Sequence, residues 1–172
     1  LLHDHETALY QYGTAHAECN VHILRYLKKN TEEAGNPWSK KLSHLLCKVN
    51  RERRKQKAEG KTCFPDEKIQ EYEKQYRECL EEGKKENHST KHKYAKKEEQ
   101  TLLNRLEKYR ENHLLFLKQF EVPFDNNMSE RDLRKVKNRQ KMAGGFRKEK
   151  GQKMYCIIMS IVETLKRRKM NL

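Results

Sequence analysis

Glu130, Arg134, Lys137 and Lys141 follow one another at steps of four, three and four residues in PFDNNMSERDLRKVKNRQKMAGGF, Pro123 to Phe146. On a helix at 100° per residue they form one stripe, with Leu133 and Val136 beside it for burial. A carboxylate at the head of a cationic row can hold a hard metal ion while the cations take phosphates. Phosphoryl transfer on nucleic acid requires both tasks. The same spacing also describes an ordinary solvated helix face, in which Glu130 and Arg134 form an i,i+4 pair contributing roughly a few tenths of a kcal/mol.

A second acidic residue, Asp4, lies between His3 and His5. An apolar entry, Leu1-Leu2, followed by a polar cluster suits the end of a strand, where α/β folds place reactive side chains. Asp suits a cap or turn equally well. His3, His5, Cys19 and His22 contain a C-x-x-H core that can be read as zinc ligands. The paired-ligand spacing of zinc sites is missing, however, and His22 falls inside a helical pattern.

The elements that must carry these residues follow from periodicity and punctuation. Asp125, Asn126 and Asn127 are N-cap residues, so a helix starts after Pro123, runs to about Met142 and stops at Gly144-Gly145. Upstream, Glu6 to Tyr12 reads as a short helix closed by Gly13, and Thr14 to Cys19 as a second strand. Asn20 then caps a helix from Val21 to about Lys29, with Val21, Leu24 and Leu27 inward. Asn36-Pro37-Trp38 opens a helix to about Glu59 on the stripe Trp38, Leu42, Leu45, Leu46, Val49. Its RERRKQK tail suits a solvated end or a DNA contact. Phe64-Pro65-Asp66-Glu67 opens the next helix, with Ile69, Tyr72, Tyr76, Cys79 and Leu80 on one side. Gly83 to Lys97, rich in lysine and almost without aliphatics, reads as an exposed connection. Glu98 to Phe120 reads as one long helix with His113 packed near its inner face. Gln152 to Lys169 reads as a last helix burying Met154, Ile158, Ile161, Val162 and Leu165. The resulting fold class is mostly α with a small α/β part.

FDNNMSERDLRKVKNRQKMAGGF resembles the signature of insertion-sequence-66 type transposases, whose Asn-Asn-x-x-Glu-Arg segment carries the last acidic residue of a DDE triad. HDHETALY and HAECNVHILRYL are similar to the same family around its second Asp and the strand that follows. The resemblance implies the C-terminal portion of a ribonuclease-H-like fold with a large helical insertion. Residues 1-30 would be the partial α/β core, 31-122 the insertion, and 123-172 the catalytic-Glu helix with a C-terminal helix. It implies metal-dependent cleavage and strand transfer of DNA, with Asp4 and Glu130 as catalytic metal ligands and a two-metal Mg2+ or Mn2+ site. Arg131, Arg134, Lys137, Lys141 and Arg147 would position phosphates, and Asn126 and Asn127 would support Glu130. The implied partners are transposon ends, target DNA and further copies of the chain assembled on DNA. The 125 residues between Asp4 and Glu130 offer no match for the first Asp, which the family places upstream of Leu1, so the chain alone is expected to be inactive.

Composition agrees with a polyanionic partner, nucleic acid before an acidic membrane surface. The net charge is +14, and Asn126 to Lys150 holds nine Lys/Arg against three acidic residues, a net of +6. At 34% hydrophobic and 37% charged over 172 residues, the chain suits one modest core and long wet helices. No apolar run approaches the roughly 18 residues that span a bilayer. Five scattered cysteines without a CxxC pair suit free thiols in a reducing cytosol.

Overall fold

Two short parallel strands start the chain. Leu2–His3 (β1) pairs with Ala17–Glu18 (β2) in the register Leu2↔Ala17, His3↔Glu18, with a 3-10 helix at Thr7–Gln11 between them. The predicted strand from Thr14 to Cys19 thus shortens to two residues, because β1 offers only two for it to pair with. The computed structural model describes residues 1–170, and seven α-helices follow the strands among them.

Helix α1 is Asn20–Ala34, closed by Gly35 at φ 72° with its N–H on Thr31 O. That left-handed cap is the conformation glycine adopts without steric cost. Helix α2 is Pro37–Ala58, with the proline in the first turn, where its missing N–H has no helical partner to lose. Helices α3, Asp66–Ser89, and α4, Lys93–Lys108, are joined by residues 90–92 alone. Then come α5, Arg110–Lys118, α6, Asn127–Met142, and α7, Glu149–Arg167.

Neighbouring helices α1 to α4 pack in order, and α4 returns to α1, closing a four-helix bundle crossed by α5. Its centre is Ile23, Leu27, Trp38, Leu42, Leu46, Tyr72, Tyr76, Leu103 and Leu106, all 2% exposed or less. The tyrosines are core, as their spacing predicts. One end of the bundle is tied by a buried carboxylate. Glu99 of α4 accepts from Asn30 of α1 (3.1 Å), Trp38 Nε1 of α2 (2.7 Å) and Asn87 of α3 (2.8 Å), and also from Asn36 and Thr90. Burial pushes its carboxyl up, but the bonds from Trp38 and the asparagines outweigh that and hold it below the usual range.

Several sequence expectations are corrected. Residues 83–89 and 93–97 are helical, not an exposed connection. Their inward positions are filled by Gly83, which Trp38 and Leu103 approach, and by Asn87 on Glu99. The long helix predicted from Glu98 breaks at Tyr109, whose ring packs on Tyr10 and His5 at 5.0 and 4.8 Å. Cys19, not Asn20, is the N-cap of α1, and the Asn20 amide donates to His113 O at 3.0 Å instead. Two residues of the RERRKQK tail bond the returning chain: the buried Arg53 donates to Phe120 O (2.9 Å) and Val122 O (2.7 Å), and the exposed Lys57 to Phe120 O (2.9 Å). The backbone of the same returning segment bonds the turn after α2, Phe120 N–H on Thr62 O and Phe64 N–H on Leu117 O.

The chain divides into two compact units, Leu1–Asn126 and Asn127–Leu172. The second contains α6 and α7, linked by ion pairs Lys135–Glu163 (2.6 Å) and Arg167–Asp132. Neither helix has a buried residue. Leu133, expected to bury, is 58% exposed, as are Met154 (56%), Ile158 (52%) and Ile161 (55%), while Val136, Val162 and Leu165 are half-buried. Amphipathic periodicity sorts residues onto a face, but a pair of helices supplies no third layer to cover it.

Candidate functional site

Asp4 is exposed immediately past the end of β1. Beside it His5 takes a left-handed backbone, φ 48°, uncommon for a residue with a Cβ. Its imidazole Nδ1 meets Glu18 Oε1 at 2.7 Å. Glu18 ends β2 and is fully buried, yet it remains a carboxylate because four groups serve it. His113 Nε2 lies at 3.0 Å and Arg105 Nη2 at 2.8 Å, both on Oε2, and Tyr10 OH donates to Oε1 beside His5. Burial pushes the Glu18 carboxyl up, but the bonds from His113, Tyr10 and Arg105 win and hold it far below the usual range. Burial keeps His113 itself below its ordinary value, so Arg105 supplies the compensating charge. Tyr10 is raised by burial and by Glu18, and donates as a neutral phenol.

The signature segment enters the same region. Asn20 N–H donates to Phe124 O (3.0 Å), and Asn126 N–H to the buried Cys19 Sγ (3.3 Å). The strand-end junction at Cys19-Asn20 therefore anchors the chain just before Asn127 starts α6. Asn126 is half-buried, and Asn127 is exposed. Glu130 stands half-buried in the first turn of α6. Arg131, Arg134, Lys137 and Lys141 are exposed along α6, and Arg147 is exposed in the turn before α7. Among the described residues none of these five cations forms an ion pair, whereas Lys135 does.

The zinc reading loses two ligands to other partners. His3 Nε2 faces His16 Nδ1 at 3.3 Å, and His5 faces Glu18. Glu18, His16 and Arg105 had no sequence signal. Glu18 sits in a two-residue strand, too short for period-2 alternation, and Arg105 reads as one more surface cation on a charged helix. His113 was read correctly as packed, and it is fully buried.

The sequence model described as Transposase IS66 family matches residues 5–154. The chain belongs to this family. The match takes in the whole of the bundle, the FDNN segment, Glu130 and the cationic row of α6, and it begins one residue after Asp4. No curated protein and no solved structure matches the chain. For this IS66 family member, no helix among the described residues is long and apolar enough to cross a membrane.

Proposed function

We propose that this chain is part of a DNA transposase that carries out metal-dependent phosphodiester cleavage and strand transfer, with Asp4 and Glu130 as metal ligands. The seating of the signature segment carries the reading. Phe124 and Asn126 are bonded to Asn20 and Cys19, at the carboxyl end of the strand that pairs with β1, whose own carboxyl end bears Asp4. Open α/β folds bind ligands outside the carboxyl ends of parallel strands. In this reading the β1–β2 pair belongs to a ribonuclease-H-like core, and residues 31–122 are a helical insertion in it.

The donors suit a hard divalent cation, Mg2+ or Mn2+: both are carboxylates, and Asp4 is open to solvent. When bound, the ion stabilises charge on the attacking and leaving oxygens. Arg131, Arg134, Lys137, Lys141 and Arg147, all exposed and, among the described residues, outside ion pairs, take the phosphates of transposon ends and target. Asn126 and Asn127 aim Glu130 from the start of α6. Further copies of the chain assemble on the DNA.

That exposed cationic row equally favours a second reading, a basic helical module that binds nucleic acid without catalysis. Manganese separates the two. Glu130→Gln abolishes Mn2+ binding and leaves DNA affinity nearly intact under the transposase reading; undiminished Mn2+ binding leaves only the module. Arg134→Ala with Lys141→Ala should weaken DNA binding and reduce its salt slope by about 2. An unchanged slope removes both residues from the DNA contact.

A further inference from the structure

His5 links Asp4 to the helices that follow. Its backbone is left-handed, φ 48°, a conformation that a few per cent of non-glycine residues adopt, His among the commoner of them, and its ring is tied outside the loop. Among the described residues Glu18 is the group bonded to its ring, with Nδ1–H donating at 2.7 Å, and the ring also packs edge-on against Tyr109. Glu18 in turn cannot shift. Arg105 of α4 and His113 of α5 grip its Oε2, and Tyr10 shares Oε1. His113 is fixed as well, its Nδ1 lying 3.0 Å from the buried Tyr76 hydroxyl of α3.

We propose that the His5–Glu18 pair is a positioning device for the Asp4 carboxylate, through which α4 and α5 hold the Asp4 loop in its working conformation. The proposal rests on Asp4 being a metal ligand. It makes the helices between Asp4 and Glu130 part of the site's geometry and not only a spacer. Groups that orient a ligand without touching the metal typically change its affinity by about 10- to 100-fold.

The test is Mn2+ titration of the whole chain, read by the electron paramagnetic resonance signal of free ion, beside a thermal melt of each variant without metal. Asn places its Nδ2 where His has Nδ1 and tolerates the left-handed region, so His5→Asn should bind Mn2+ as the parent does. His5→Gly loses the bond and the strain together. It should bind Mn2+ about tenfold or more weakly with an unchanged melt, because the bonds from Arg105 and His113 to Glu18 stay in place. If position 5 mattered only for backbone conformation, Gly would bind at least as well as Asn, and that order overturns the proposal. A His5→Gly chain that no longer folds overturns it too, since the pair would then support the fold and not the loop. Asp4→Asn separates the two layers of the argument. Equal Mn2+ binding by Asp4→Asn and the parent defeats the metal reading and this proposal together. Loss of binding in Asp4→Asn with full binding in His5→Gly defeats only the positioning role.

Discussion

Glu99 and Glu18 are both buried carboxylates, and neighbours make each tolerable in a different way. Glu99 has five donor residues and no cation among its bonded partners, whereas Glu18 has Arg105. Glu99→Leu strands the donors of Trp38, Asn30, Asn36 and Asn87, and should cost about 3 kcal/mol or more in urea unfolding. Arg105→Met leaves a buried charge unpaired and should cost about 3–5 kcal/mol, read the same way. Both carboxyls have folded values below the unfolded value of about 4.3. Their contribution to stability is therefore complete above that pH and is lost as the pH falls through the folded values. Glu99→Gln should flatten part of the stability loss that sets in as the pH falls below about 4.3; an acid limb identical to the parent's contradicts the role given to Glu99. None of this was legible in sequence. Burial of a charge is decided by partners up to 95 residues away, as with His113 and Glu18.

Helices were legible where aliphatics repeat. Trp38, Leu42, Leu46 and Val49 marked α2 almost to its ends, Pro37–Ala58 against the expected close near Glu59. The same logic failed over the second half of α3, because a helix can face a core with Gly83 and Asn87 in place of aliphatics. Gly83 yields a prediction with an unusual sign. Gly→Ala inside a helix ordinarily stabilises by up to about 1 kcal/mol. At Gly83 the new Cβ would lie 2.7 Å from the Trp38 ring and 2.8 Å from Leu103, so Gly83→Ala should destabilise by about 1–3 kcal/mol. Gly151 near the start of α7 has nothing within 4 Å of that position, and Gly151→Ala should be neutral or stabilising by roughly 0.5 kcal/mol. Thermal melts of the two variants decide the point, and equal shifts refute it.

At the scale of the molecule, the signature pointed to the right family, while the division of stability between the two units was invisible. Periodicity reports which face is apolar, not whether anything covers it. The first unit owns the core, and α6 and α7 bury no residue. Amide hydrogen exchange should therefore be slowest in α2 and α3 and markedly faster in α6 and α7. Equal protection would show that the apolar face of α7 is covered in solution.

The anchoring of residues 117–126 has a consequence in time. Arg53, Lys57 and Cys19 reach that segment across 63 to 107 residues of chain. Bonds closing such long loops form after the local helices do, since the closure entropy must be met before the contact returns anything. The residues leading into α6 therefore find their seat only once the bundle has assembled around them. A bundle left incomplete by truncation or error would have no place to dock Phe124 and Asn126, so correct assembly of the helices becomes a checkpoint that the segment leading into α6 must pass before it is seated.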